Sequence, residues 1–145
     1  DWAMLDRVRE DWDGDLLVKG VMVPDDAKRL VKVGVDGLWV SNHSARQLDA
    51  APATIEQLPK VRAAVGDAVP IIFDSGVLGG LDILRALALG ADFVMMGRAW
   101  HYALGALGAR GPKWLTHIIE QDLRANMAQI GVQRFSDLPR QLVRD

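Results

Sequence analysis

Four short apolar runs, each followed by a loop and a helical pattern, constrain the fold of this 145-residue chain more than any other feature. The runs occupy residues 16–18, 38–40, 71–73 and 93–96, and their length is typical of buried strands. Apolar residues then recur at helical spacing, and a glycine follows the pattern as expected at a helix C-terminus. Because strand and helix alternate, the sequence predicts parallel strands joined by helical crossovers.

A short echo within the chain favours a barrel over an open sheet. Gly34-Val35-Asp36 precedes the second run, and Gly90-Ala91-Asp92 precedes the fourth. Repetition of one βα unit is typical of a (β/α)8 barrel, which takes roughly 250 residues. We therefore predict that residues 1–145 form one α/β domain with parallel strands, the C-terminal half of a (β/α)8 TIM barrel with four βα units. A natural half-barrel that dimerises is the alternative.

The helical patterns differ in length and in continuity. Pro59 interrupts the pattern that follows the second run and predicts a break or a fresh helix start there. The longest pattern covers residues 115–130 and stops at Gly131. A weaker pattern around Pro139 covers residues 135–143.

Composition and charge exclude several classes of protein. The formal net charge is −2, so there is no basic surplus to bind nucleic acid. The apolar runs are too short to cross a bilayer, and the sequence shows no secretory signal pattern. The absence of cysteine excludes disulfides and thiolate metal sites and is compatible with the cytoplasm. Three scattered histidines, His43, His101 and His117, do not predict a metal site.

The loop after the second run carries the residues with the clearest chemistry. His43 and Arg46 lie three positions apart, directly beyond a predicted strand end, where α/β barrels hold their catalytic groups. A neutral imidazole can accept a proton, and a guanidinium can bind a planar carboxylate through two hydrogen bonds. The pair therefore suits the oxidation of a small acid with a hydroxyl beside its carboxylate. The competing interpretation is a structural histidine next to a surface arginine.

The other three strand ends carry polar or glycine-rich segments. Lys19 ends the first run, where it either faces a bound group or extends past the rim into solvent. Residues 74–80 form a glycine-rich turn that enters a helix, and such turns bind phosphate through backbone N–H groups. Gly97 and Arg98 follow the fourth run, and barrels often bind phosphate at their last two strands. This order of groups matches a flavin mononucleotide (FMN) enzyme acting on a hydroxy acid.

These segments together resemble the FMN-dependent α-hydroxy acid dehydrogenase and oxidase family, which includes glycolate oxidase, lactate oxidase, lactate dehydrogenase and mandelate dehydrogenase. The resemblance runs through nearly the whole chain in family order. Its motifs begin at Leu17 (Leu-Val-Lys-Gly-Val), Val40 (Val-Ser-Asn-His), Asp74 (Asp-Ser-Gly), Ala86 (Ala-Leu-Ala-Leu-Gly-Ala) and Gly97 (Gly-Arg).

The resemblance implies a role for each candidate residue in the oxidation of an (S)-2-hydroxy acid to the 2-oxo acid. Lys19 would stabilise negative charge near N1 and O2 of the reduced flavin, and Ser41 would hydrogen-bond the flavin. His43 would take either the hydroxyl proton or the α-proton of the substrate, and Arg46 would bind its carboxylate. The ribityl phosphate would be held by Asp74, Ser75, Gly76, Val77 and Leu78 together with Gly97 and Arg98.

The sequence also departs from the family pattern. Ser44-Ala45 stands where Gly-Gly or Gly-Ala is usual, so Ser44 adds strain if that position needs a positive φ. Leu78 and Gly79 stand where arginines are usual, which removes a phosphate-binding or active-site cation. Ala99 stands where proline is common.

The resemblance also implies partners for this chain. The family's first half-barrel is absent, so we predict a missing N-terminal half-barrel as partner, a homo-oligomer in the intact protein, and a cytoplasmic location that includes the inner face of the membrane. The isolated chain is predicted to bind FMN weakly or not at all and to be inactive, because its outer strands lack neighbours. Two alternatives are a phosphate-binding barrel similar to inosine monophosphate dehydrogenase, which lacks the His-x-x-Arg loop, and a non-catalytic fragment or self-association module.

The remaining histidines and three aromatic residues are assigned structural roles. His101 and His117 fall on helical stretches and are expected at the surface or in helix packing. Trp100, Tyr102 and Trp114 are expected to cover the outer layer of the barrel.

Overall fold

Four parallel strands, hydrogen-bonded in chain order, form a single sheet in the computed structural model, which describes residues 1–142. Each strand pairs with the next in parallel register, with Lys19 opposite Trp39 and Ile72 opposite Phe93. The strands are β1 (Leu17–Lys19), β2 (Gly37–Val40), β3 (Ile71–Phe73) and β4 (Phe93–Val94). The predicted α/β architecture with four parallel strands is confirmed.

Helices precede, connect and follow the strands. The α-helices within residues 1–142 are α1 (Trp2–Asp11), α2 (Pro24–Val33), α3 (Thr54–Val65), α4 (Gly80–Ala88), α5 (Arg98–Leu107) and α6 (Gly111–Gln129). Short 3₁₀ turns cover His43–Ala45, Gly108–Arg110 and Phe135–Gln141.

Glycines end the first connecting helices as the sequence predicts. Gly34 caps α2 in the left-handed conformation at φ 88°, and its N–H donates to the carbonyl of Val31. Gly66 and Gly90 follow α3 and α4, also at positive φ. Only glycine adopts this conformation without a steric penalty, which explains why the helical patterns stop there.

The structure differs from the sequence prediction in three helical segments. The break predicted at Pro59 is wrong, because α3 runs through it and the buried side chains of Leu58 and Val61 hold the helix on both sides. The last long helix starts at Gly111, four residues earlier than predicted. The terminal segment forms a 3₁₀ turn anchored by buried Leu138, and residue 143 of the predicted pattern lies outside the described residues.

The sheet has one covered face and one open face. Leu38, Ile71 and Phe73 are at most 2% exposed against the helices and form the centre of the core. On the other face, Leu17 is 49% exposed and Phe93 is 60% exposed. The open face therefore carries apolar side chains that residues 1–142 leave exposed. This is expected for part of a barrel, because side chains from all the strands of a complete barrel fill its interior.

The sequence echo corresponds to a repeated contact at the amino end of the sheet. The Asp36 carboxylate accepts a hydrogen bond from the N–H of Leu16 at 2.8 Å and pairs with Arg9 of α1. In the second copy, the Asp92 carboxylate accepts from the N–H of Ile71 at 2.7 Å and pairs with a preceding-helix arginine, Arg62. Each aspartate thus ties the start of the preceding strand to the helix before it.

Candidate active site at the carboxyl ends of the strands

Most of the predicted site residues line one cavity at the carboxyl end of the sheet. The cavity has a volume of about 290 Å³. Loops after β2, β3 and β4 contribute to it, because parallel strands bring their carboxyl ends to the same edge. Its predicted lining residues are His43, Arg46, Asp74, Ser75, Gly76, Val77, Gly97 and Arg98.

Lys19 makes three contacts at this edge, and its side chain is 42% exposed. Its Nζ donates to Ser41 Oγ at 2.6 Å and lies 3.2 Å from Asp74 Oδ2. It also lies 5.0 Å from the centre of the Trp39 ring, within the range of a cation–π contact. These contacts fix the ammonium at the strand end, and a role for Lys19 beside a cofactor stays a prediction.

Ser41 joins Lys19 to the loop that carries the histidine. It is 2% exposed, and its Oγ accepts the backbone N–H of His43 at 3.2 Å as well as the ammonium of Lys19. A buried hydroxyl with two donors is fixed in orientation. The end of β2 therefore sets the position of His43 relative to the cation.

The loop after β2 is a turn of left-handed backbone. His43, Ser44 and Ala45 have φ of 54°, 55° and 57°. Asn42 stabilises the turn by accepting the N–H of Ala45 and by donating to the carbonyl of Pro52. Left-handed backbone costs roughly 1–2 kcal/mol per residue for side chains other than glycine, so the Ser44 strain anticipated from the sequence is present.

Gln47 fixes the ring of His43. The Nδ1 atom of His43 lies 2.9 Å from Gln47 Oε1, an acceptor, which favours the tautomer with the hydrogen on Nδ1. The Nε2 atom is then the one with a free lone pair in the neutral ring, which is the form that a general base needs. Gln47 is part of the loop motif, but its role was missed because a side-chain contact four residues away leaves no periodic signal.

Arg46 presents an uncommitted cation beside the base. Its side chain is exposed and lines the cavity, and within residues 1–142 it forms no ion pair. A guanidinium without an internal partner can bind an external carboxylate by two parallel hydrogen bonds. Arg98, at the first position of α5, lines the same cavity.

The glycine-rich turn after β3 offers only part of its backbone to a ligand. Across residues 1–142, the N–H groups of Gly76 and Val77 donate no hydrogen bond. In contrast, the N–H of Leu78 donates to Asp82, and that of Gly80 donates to Asp122 at 2.5 Å. The N–H groups of Leu78 and Gly80 are therefore occupied by carboxylates, whereas those of Gly76 and Val77 are open to an anion.

Leu78 lies apart from the other predicted phosphate-binding residues. Its side chain is 53% exposed and lines a separate apolar cavity with Tyr102 and Trp114 on α5 and α6. Among its neighbours in the turn, Ser75 directs its hydroxyl to Asp74 and accepts the N–H of Ser44 at 3.1 Å. The turn thus supports the histidine loop through Ser75, while its Leu78 end points away from the cavity that His43 lines.

Two residues near the site were missed by sequence reasoning. His101 is exposed, as expected, but it also lines the cavity with His43, and its Nδ1 lies 3.1 Å from the carbonyl of Gly97. Arg85 of α4 lines an adjoining cavity of about 360 Å³ together with Arg98. Each falls on a regular helical pattern, where only the packing of helix against loop reveals that the side chain reaches the site.

The expected outer-layer aromatic residues lie on the last two helices. Tyr102 is 67% exposed and Trp114 is 53% exposed, while Trp100 is partly buried. The ring of His117 meets that of Trp114 edge-on with 6.3 Å between centres. None of the helices in residues 1–142 combines the length and apolar character needed to cross a membrane.

Comparison with known proteins decides the family. The family model described as "FMN-dependent dehydrogenase" matches residues 1–145. The chain belongs to the FMN-dependent dehydrogenase family. The resemblance inferred from the motifs is thereby confirmed, and FMN is the cofactor of this family.

Relatives of this FMN-dependent dehydrogenase chain include two lactate dehydrogenases. It is 44% identical over 142 residues to the L-lactate dehydrogenase of Caulobacter sp. (strain K31), covering 98% of this chain and 37% of that protein. It is 45% identical over 139 residues to the L-lactate dehydrogenase of Yersinia pestis (strain Pestoides F), covering 96% of this chain and 36% of that protein. The chain therefore spans little more than a third of the length of these relatives.

Solved structures of mandelate oxidase share the fold. The structure with (S)-2-phenylpropionate superposes with a TM-score of 0.89 at 36% sequence identity, covering 97% of this chain and 42% of that chain. A mandelate oxidase variant with a monooxide FMN adduct gives the same TM-score and identity and is covered to 45%. These structural neighbours are TIM-barrel oxidases, and this chain corresponds to part of the barrel.

The groups at the strand ends fit FMN. The ammonium of Lys19 provides a cation beside the cavity, and Arg98 and Arg85 provide cations at its β3–β4 side. Gly76 and Val77, whose N–H groups donate no hydrogen bond within residues 1–142, line both cavities together with Arg98. FMN needs a cation near its electron-rich ring, and its phosphate needs cations and backbone N–H donors. The residues at the strand ends supply groups of both kinds.

Proposed function

We propose that the chain is the C-terminal half of an FMN-dependent barrel that oxidises an (S)-2-hydroxy acid to the 2-oxo acid. The observation that carries the proposal is the single cavity shared by His43, Arg46, Asp74 and Arg98. It combines a base, a free guanidinium and a cation for phosphate at the edge where barrel enzymes perform their chemistry. Lactate-like and mandelate-like acids are the proposed substrates, in keeping with the names of the relatives.

His43 is the proposed base. Because Gln47 holds Nδ1, Nε2 is the atom that takes a proton from the substrate. The proton comes either from the hydroxyl or from the α-carbon, and both routes leave His43 as an imidazolium beside the cavity. Bound FMN supplies the acceptor for the two electrons that the substrate loses.

Arg46 and Lys19 are the proposed charge-matching groups. Arg46 binds the substrate carboxylate and so presents the hydroxyl-bearing carbon to His43. Lys19 would stabilise negative charge near N1 and O2 of reduced flavin, and Ser41, which accepts from Lys19, would hydrogen-bond the flavin. Arg46 thus binds the acid, and Lys19 acts on the cofactor.

The phosphate of FMN is assigned to the β3–β4 side of the site. The free N–H groups of Gly76 and Val77 and the side chain of Arg98 next to Gly97 form the proposed contacts. Ser75 supports the turn from behind. Arg85 supplies a second cation for the site, which compensates for the arginine absent at Leu78.

The partner proposed for the open face of the sheet is the N-terminal half-barrel of the same protein. Leu17, Phe93 and Met95 are between 39% and 60% exposed there, and closure of the barrel covers them. The intact protein is proposed to be a homo-oligomer in the cytoplasm, with peripheral attachment to the inner face of the membrane.

A second candidate function is a non-catalytic fragment or self-association module. The exposed apolar side chains of Leu17 and Phe93 favour it for the isolated chain, because such a face pairs readily with a second copy. The two candidates differ in whether the full-length protein binds FMN and oxidises a hydroxy acid.

Titration with FMN distinguishes these candidates. We expect the isolated chain to bind FMN weakly or not at all, and the full-length protein to bind it stoichiometrically and to oxidise (S)-lactate or (S)-mandelate. Flavin fluorescence measures binding, and sedimentation alongside measures self-association. Tight binding by the isolated chain would overturn its predicted inactivity, and a full-length protein that binds FMN but oxidises neither acid would overturn the proposed substrate class.

A further inference from the structure

The Asp74 carboxylate makes contacts with three donors of this protein, which leaves it an unusual member of a phosphate-binding loop. Its Oδ2 accepts the indole N–H of Trp39 at 3.0 Å and lies 3.2 Å from Nζ of Lys19. Its Oδ1 accepts the hydroxyl of Ser75 at 2.7 Å. Three donors from three strand ends converge on one carboxylate that is 18% exposed.

The ion pair with Lys19 differs from the surface pairs of this protein. Lys28 and Asp25 on α2 lie 3.1 Å apart, nearly the same distance, but Asp25 is 88% exposed. Water screens a pair of that kind, so it has little effect on its surroundings. The Asp74 carboxylate is largely shielded from water, so its charge acts strongly on groups nearby.

We propose that Asp74 positions Lys19 and acts as its counter-charge. Asp74 thereby sets how strongly the positive charge of the ammonium stabilises the reduced flavin. The inference rests on the proposed function of Lys19 at the FMN ring. Asp74 holds Nζ against the Trp39 ring and offsets part of its positive charge. Since a cation favours the anionic reduced flavin over the neutral oxidised one, Asp74 lowers the reduction potential of bound FMN.

The proposal assigns Asp74 a role different from that of its neighbours in the turn. Gly76 and Val77 keep free N–H groups for an anion. A carboxylate would repel a phosphate dianion, so the side chain of Asp74 suits the cation side of the cavity rather than the phosphate side. Trp39 lines the cavity next to it and supplies the indole donor.

The test is the midpoint potential of FMN in the full-length protein, measured anaerobically against a reference dye. In Asp74→Asn the amide oxygen still accepts a hydrogen bond but the charge is gone. We expect reduced FMN to be favoured over oxidised FMN by at least about tenfold relative to wild type, a rise of about 30 mV for a two-electron couple. Asp74→Glu retains the charge and is expected to stay closer to wild type than Asp74→Asn.

The matched control removes a carboxylate of a surface ion pair at the other end of the sheet. Asp67 lies 3.7 Å from Arg62 in the connection before β3 and is fully exposed. Asp67→Asn is expected to leave the potential unchanged, which separates local charge from net charge.

Each outcome decides between distinct conclusions. An unchanged potential in Asp74→Asn with FMN bound would overturn the inference and leave the proposed function intact. Loss of FMN binding in both Asp74→Asn and Asp74→Glu would assign Asp74 to the framework instead. A wild-type full-length protein without FMN affinity would overturn the proposed function and this inference with it.

Discussion

The two ends of the same four strands differ in how their contacts are built. At the amino end, Asp36 and Asp92 occupy equivalent places in two βα units and make equivalent contacts to a strand start and an arginine. At the carboxyl end, the four strand ends carry four different groups, and their contacts do not repeat. In barrels the amino end serves stability and the carboxyl end serves chemistry.

Strain is also distributed unequally between the two ends. Within residues 1–142, all four residues other than glycine with positive φ lie in loops at the carboxyl end: His43, Ser44, Ala45 and Ser75. The turns at the amino end use glycine at such positions, including Gly34 and Gly90. Strained backbone persists where the surroundings hold it, and it clusters at sites that bind or react. The difference indicates that the carboxyl end is shaped for function at a cost in stability.

The sharpest test of this comparison is His43→Ala in the full-length protein. We expect turnover to fall by about 10²–10⁴-fold, because the base is lost, while thermal stability changes little since His43 is exposed. Steady-state kinetics with (S)-lactate or (S)-mandelate and a thermal melt provide the measurements. Turnover that stays nearly intact would show that the base assignment is wrong.

Replacement of Arg46 by lysine is expected to have the next largest effect. Arg46→Lys keeps the charge but removes the two-pronged contact with a carboxylate, and a hydrogen bond to a charged group contributes about 1.5–3 kcal/mol. We expect kcat/KM to fall at least about tenfold, mainly through KM. Arg124→Lys on α6, where the guanidinium pairs with Glu120 at the surface, serves as the control, and an equal rise in KM there would contradict a specific role for Arg46.

At the amino end, Asp92→Asn is expected to reduce stability and spare catalysis. It weakens the pair with Arg62 and the tie to the Ile71 N–H, so the free energy of unfolding should fall by about 1–3 kcal/mol. Asp36→Asn is the matched change in the first repeat and should give a loss of similar size. Denaturant unfolding and kcat per folded molecule measure both effects, and a large loss of kcat would break the division between the two ends.

The smallest expected effect concerns strain in the histidine loop. Ser44→Gly removes the penalty of a side chain at φ 55° and should raise the free energy of unfolding by about 1 kcal/mol. Ser44→Ala keeps the penalty and serves as the control. Equal stability of the glycine and alanine variants, measured by denaturant unfolding, would show that the loop is not strained at this position.

Local patterns in the sequence determined the elements and much of the site. Apolar runs and helical periodicity located every strand within two residues at either end, and Gly34 and Gly66 marked the helix ends, because these properties depend on neighbours in the chain. The spacing of His43 and Arg46 on one loop predicted that both would face one cavity. The break predicted at Pro59 failed because packing of its neighbours outweighs one missing hydrogen bond.

Only the tertiary structure decided which partners those residues meet. Lys19 and Ser41 are 22 residues apart, and Trp39 and Asp74 are 35 apart, so their contacts depend on the order and register of the strands. The same holds for His101, which a helical pattern alone cannot direct to a cavity. Sequence thus determined which groups lie at the strand ends, and parallel pairing of the strands determined how their charges combine, since electrostatic and hydrogen-bond contacts require proximity in space.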